Sequence, residues 1–127
     1  MDDRVLAIVE RGYRGALEKQ FFDELYLATE LHRQLGGLDV LLRGSAVTYA
    51  LDAGPVPSLR IGARTVDTLS DPRKGLRTLL DAGVRIRVEE PDIEALGSTR
   101  PLIEGIALTR RGETAERWAH YRMVFFL

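Results

Sequence analysis

The feature that most constrains this chain is a pair of apolar runs separated by a helical pattern. "VLAIV", Val5 to Val9, is unbroken, and "LDVLL", Leu38 to Leu42, is interrupted only by Asp39. Runs without alternation suit strands that are covered on both faces. From Ala16 onward, Leu17, Phe21, Leu25, Ala28, Leu31 and Leu35 fall at helical spacing, and Gly36-Gly37 closes the pattern. Strand, helix and strand within about forty residues make a βαβ unit, so the two strands are expected to lie parallel.

The rest of the chain repeats this alternation. Ser45 reads as the N-cap of a short helix ending at Leu51. Asp71-Pro72 opens another helix, with an acid at the cap and proline in the first turn; Leu76, Leu79 and Leu80 supply its apolar face and Gly83 follows it. Val84 to Val88 is a third strand, and its Val/Arg alternation predicts a half-exposed strand at the periphery of the sheet. Pro91 to Leu96 forms a short helix stopped by Gly97. Gly105 to Thr109 is a fourth strand, Glu113 to His120 a helix, and Arg122 to Leu127 a fifth strand. Ala53 to Ser70, with Gly54, Pro55, Pro57 and Gly62, reads as one long loop of the kind that serves as a lid, binding loop or interface arm. The expected fold is a three-layer α/β/α sandwich with an open, mainly parallel five-stranded sheet, formed as one domain over residues 1–127.

Ligands of such sheets sit beyond the carboxyl ends of the strands. That rule selects Glu10, Arg11 and Tyr13 after the first strand, and Arg43 and Ser45 after the second. Glu89, Glu90 and Asp92 follow the third, and Thr109, Arg110 and Arg111 the fourth. Glu10, Tyr13, Arg43, Ser45, Glu89 and Asp92 are the candidate pocket residues. Glu10 and Arg43 face each other as either a structural ion pair or part of a site. Glu89, Glu90 and Asp92 either crowd into an acid/base site or start a helix, where carboxylates meet the positive end of the dipole. "GYRG", Gly12 to Gly15, opens a helix after a strand, but no phosphate-loop or dinucleotide fingerprint accompanies it. Trp118, Phe125 and Phe126 read as core or subunit-interface residues.

Composition removes several function classes. The chain has no cysteine, which excludes disulfides, thiolate catalysis, persulfide carriage and Cys-based metal sites. His32 and His120 lack ligand spacing, so no metal or cofactor is expected, and with no histidine near Ser45 no catalytic triad is expected either. The net charge of −1 gives no general attraction to nucleic acid or anionic membranes. Only Lys19 and Lys74 of the 18 basic residues are lysine, which leaves 16 arginines. That bias fits either oxyanion binding or a GC-rich coding sequence. No apolar run reaches membrane-spanning length, and the first residues do not form a signal peptide, so a cytoplasmic location is expected.

Several segments, in order, resemble the DsrE/DsrF-like sulfur-relay family. "RGYRGALEKQFFDELYLATELHRQLGG" followed by "LDVLLRGSAVTYAL" is similar to the family's first helix, second strand and following turn. "LLDAGVRIRV" resembles the approach to its active loop, "LIEGIALT" its next strand, and "RMVFFL" its last. The resemblance implies a three-layer α/β domain assembled into dimers, trimers or hexamers, or paired with a family homologue. It also implies a sulfur-carrying cysteine after the third strand. Val88 and Gly97 match that frame, and the cysteine positions fall on Glu89 and Asp92. A carboxylate forms no persulfide, so the resemblance implies a cysteine-free, oligomeric or partner-binding member related to sulfur metabolism. The alternative is a protein that binds a small molecule or nucleotide in its strand-end crevice.

Overall fold

The computed structural model describes residues 2–12, 24–54, 57–67 and 71–127. Its centre is a five-stranded sheet built from β1 (Asp2–Val9), β2 (Leu38–Leu42), β5 (Arg85–Glu89), β6 (Ala107–Thr109) and β7 (Tyr121–Phe126), in the order β6-β5-β2-β1-β7. Every neighbouring pair in it is parallel. The chain steps outward from β1 to β6, then returns to place β7 on the far side of β1. The expected α/β sandwich is therefore observed.

One face of the sheet carries the main core. Val5, Ala7 and Val9 of β1, Leu38, Val40 and Leu42 of β2, and Ile86 and Val88 of β5 are all buried there. Against them pack α1 (Glu24–Leu35) through Leu25 and Ala28, and α2 (Pro72–Asp81) through Leu76 and Leu79. A 3₁₀ helix, Gly44–Ala50, adds Ala46, Val47, Tyr49 and Ala50, and Ile93 of α3 (Glu90–Leu96) packs at the margin. The sequence signals for α2 act as expected: Asp71 caps the helix by accepting from Arg73 N, and Pro72 sits in the first turn. His32 ties three elements together. Its Nδ1 accepts from Leu38 N at 3.1 Å, which leaves Nε2 to donate to Ala82 O at 3.0 Å.

The opposite face is covered thinly. Leu6, Ile8 and Leu41 form a small cluster there with Tyr121 and Val124. The third layer over them is α4 (Glu113–Trp118), six residues long. Its place follows from topology. The connection from β6 to β7 runs back across the sheet, and a crossover of unchanged hand that reverses direction lands on the other face. The return occupies only residues 110–120, so among the described residues one short helix roofs this face of the sheet.

Four expectations change. The strand at Arg85–Glu89 is not peripheral but lies between β2 and β6. Its arginines alternate because the face they point to is only partly roofed, and not because the strand is at an edge. The segment Ala53–Ser70 is not loop throughout: β3 (Leu59–Ile61) and β4 (Arg64–Val66) pair antiparallel about a Gly62-Ala63 turn. Ser45 is not the N-cap of the following helix, because Arg43 holds that position and no side chain caps it. The last helix ends at Trp118, two residues earlier than expected. The helix expected from Ala16 is described from Glu24 onward; Leu17, Phe21 and the "GYRG" turn beyond Gly12 lie outside the described residues.

Candidate functional site

Beyond the carboxyl ends of β1 and β2 the two turns are tied together. Arg43 N donates to Val9 O at 3.0 Å, continuing the sheet by one bond. The Ser45 hydroxyl accepts from Gly12 N at 2.7 Å and donates to Glu10 O at 3.4 Å. This bridge explains why Ser45 does not cap: its oxygen is engaged by the preceding turn. Asp92 reaches across from α3, and its Oδ2 accepts from Gly44 N at 2.9 Å. Arg43 Nε lies 3.3 Å from Glu10 Oε1, an ion pair with both side chains open to water.

Glycine is required twice in this knot. A Cβ on Gly12 would meet Ser45 O at 2.9 Å, and one on Gly44 would meet Glu10 O at the same distance. Gly44 also has φ +57, a left-handed conformation that side chains disfavour.

The structure thus brings Glu10, Arg43, Ser45 and Asp92 into one network and leaves Glu89 out. Glu89 ends β5 pointing to the thinly covered face, where its Oε1 accepts from Thr114 Oγ1 of α4 at 2.9 Å. The two positions that fall on the cysteine frame, Glu89 and Asp92, therefore serve different sides of the sheet. Glu89 and Asp92 do not converge on one another. Among the described residues no cluster of His, Asp and Glu is arranged to hold a metal. Tyr13 lies outside the described residues.

The second face holds a group of residues that sequence reasoning passed over. Asp39, 1% exposed, sits on β2 between β1 and β5. Arg85 grips it with two nitrogens, Nε to Oδ1 at 2.8 Å and Nη2 to Oδ2 at 2.7 Å. Arg4 Nε adds a bond to Oδ1 at 2.7 Å, and the Tyr121 hydroxyl donates to Oδ2 at 2.7 Å. Burial pushes the Asp39 carboxyl upward. The hydrogen bonds from Arg85, Tyr121 and Arg4, with the charge of Arg4, outweigh that and hold it below the ordinary carboxylate value. Tyr121 moves the other way: burial, and then its bond to the Asp39 carboxylate and that group's charge, raise its hydroxyl above the usual phenol value against the opposing pull of Arg87.

Around this buried pair the surface is rich in arginine. Arg87 Nη1 donates to Tyr121 Oη at 3.2 Å, and Arg117 of α4 pairs with Glu113 at 2.6 Å. Glu113 also accepts from Arg110 N, and that bond, with the charge of Arg117, holds its carboxyl below the ordinary value against partial desolvation. An open groove of about 220 Å³ runs between Arg85, Arg87, Arg117, His120 and Tyr121. The clearest sequence signal for this region was Asp39 itself, a lone carboxylate inside an apolar strand. A buried charge requires a partner of opposite sign.

With this geometry in hand, comparison with known proteins is informative about the fold alone. No protein-family profile matches the sequence. No curated protein sequence matches it either. Several solved structures do. The ychN protein from E. coli superposes with a TM-score of 0.71 over 100% of both chains, at 22% identity. A protein of unknown function, MTH1491 from Methanobacterium thermoautotrophicum, superposes with a TM-score of 0.61 over 96% of this chain and 99% of its own, at 15% identity. The chain has the DsrE/YchN type of fold that these two proteins share.

Proposed function

We propose that this chain is a non-catalytic subunit of DsrE-like type, acting by assembly with copies of itself or with a related partner, in intracellular sulfur metabolism but without carrying sulfur itself. The observation that carries the reading is the hairpin of β3 and β4. Its register places Leu59 beside Val66 and Ile61 beside Arg64 on one face, so three apolar side chains share that face. Leu59 is 42% and Ile61 54% exposed. A two-stranded hairpin is marginal in water without a surface to pack on, and a second copy of the chain supplies such a surface by closed symmetry.

The far edge of the sheet supports the same reading. β7 pairs with β1 on one side and, among the described residues, has no strand on the other. Met123 and Phe126 are exposed on it, with Trp118 beside Phe126 at a ring-centroid distance of 6.4 Å. An unpaired strand edge carrying large apolar side chains is a common place for another chain to bind.

The strand-end residues favour structure over chemistry. Ser45, Asp92, Glu10 and Arg43 are engaged with the two turns, and the absence of cysteine rules out a persulfide. Sedimentation of the wild type and of a Leu59→Ser/Ile61→Ser variant tests the reading. The expected result is an assembly that the double variant dissociates to 14.2 kDa chains. An assembly unchanged by the double variant removes the hairpin from the interface.

A further inference from the structure

Thr109 ends β6 opposite Glu89, on the thinly roofed face. It is 1% exposed, and its Oγ1 has no hydrogen-bond partner. A buried hydroxyl left unpaired is destabilising and is uncommon in folded proteins. It lines a slit with about 10 Å³ of free volume, room for a single water-sized group. Arg87, Arg117 and Tyr121 line both that slit and the wider groove that Arg85 and His120 complete. The groove wall contains no carboxylate.

The charges facing this region come from every element packed around it. Arg4, Arg85, Arg87 and Arg117 are cationic; Asp39, Glu89 and Glu113 are anionic. Four against three leaves one net positive charge before His120 is counted. Arg85 is bound to Asp39; Arg87 engages only Nη1, with Tyr121 and, at 3.9 Å, with Asp39, and Arg117 only Nη2, with Glu113. A guanidinium has five N–H donors, so both side chains keep further donors on the groove wall. These donors rise from β5 and α4, and Thr109 adds a third from β6.

We propose that this groove binds a tetrahedral oxyanion, phosphate or sulfate, either free or as the terminal group of a larger ligand. Arg87 and Arg117 pair with its charge, and one of its oxygens accepts from Thr109. The site is separate from the strand-end network of Glu10, Arg43, Ser45 and Asp92. Planar, forked guanidinium groups suit such oxygens better than ammonium groups do.

The test is an NMR amide-shift titration with inorganic phosphate and sulfate, against sodium chloride at matched ionic strength. Saturable shifts concentrated at residues 85–87, 109 and 114–121 are expected with both oxyanions and not with chloride. Thr109→Val removes only the hydroxyl, and Arg117→Gln removes a half-exposed charge together with its pairing to Glu113. Thr109→Val is expected to fold at least as stably as the wild type while binding phosphate at least tenfold more weakly, and Arg117→Gln is expected to show a similar loss. Shifts that do not saturate, that match those of chloride, or that survive unchanged in Thr109→Val overturn the proposal. Phenyl phosphate distinguishes the source: tighter binding than inorganic phosphate indicates a group on a larger ligand, and equal or weaker binding indicates the free anion.

Discussion

Asp39 and Arg85 stand opposite one another in register on adjacent parallel strands, and the guanidinium takes both carboxylate oxygens, at 2.8 and 2.7 Å. The pair joins β2 to β5, Arg4 extends it to β1, and Tyr121 of β7 completes it. One buried carboxylate thus ties four of the five sheet strands together on the face with the least apolar cover. Removing it takes a shared acceptor from two guanidinium groups and a phenol. Asp39→Ala is expected to cost about 3 kcal/mol, at the low end for breaking a buried pair because both arginines reach solvent. Urea unfolding measures it.

The same carboxylate sets an acid limit. Its folded-state value is depressed, so its contribution is present above the unfolded value of about 4 and is lost as pH falls through the lower folded value. Stability is expected to fall steadily below about pH 4, with a shallower slope in Asp39→Asn. Tyr121 sets the opposite limit. Its folded value is raised, so its contribution is complete below about pH 10 and is lost above it. Urea midpoints measured from pH 2 to 11 report both.

The strand-end knot makes a sharper structural prediction. Ser45→Ala is expected to cost about 0.5–1 kcal/mol and to speed hydrogen exchange at the Gly12 amide, which donates to that hydroxyl. A helix cap at Ser45 would instead leave Gly12 exchange unchanged. Gly44→Ala is expected to cost about 2 kcal/mol or more, because it combines an unfavourable positive φ with a Cβ 2.9 Å from Glu10 O.

Glu89 and Asp92 are three positions apart in sequence but act on different faces. Their alanine substitutions are expected to add, with a coupling below about 0.5 kcal/mol in a double-mutant cycle. A larger coupling means that the two carboxylates share a site.

Much of this fold was legible because parallel strands write themselves as apolar runs and because helix ends carry local chemistry. "VLAIV" and "LDVLL" are adjacent central strands, Asp71-Pro72 starts α2, and Gly97 ends α3. The hairpin was hidden because each of its strands is three residues long, too short for alternation to declare itself, and the nearby prolines read as loop. The position of β5 was misread because exposure was attributed to a sheet edge. Its cause is instead a third layer that, among the described residues, is one six-residue helix. The candidate residues Glu10, Arg43, Ser45 and Asp92 do meet, since strand ends converge wherever a parallel sheet forms. The arginine groove was not legible, because Arg87 and Arg117 are brought together only by the reversal of the chain from β6 to β7. Its traces were Asp39, a charge with no visible partner in the surrounding sequence, Thr109 at a strand end, and the arginine bias.

Native mass spectrometry of the purified wild-type chain tests the central claim most directly. A discrete multiple of 14.2 kDa, such as a dimer, trimer or hexamer, is the result predicted for a subunit that works by assembly. A monomer that persists at high protein concentration, with the β3–β4 hairpin and the β7 edge left bare, would contradict assembly with copies of itself and leave only a related partner.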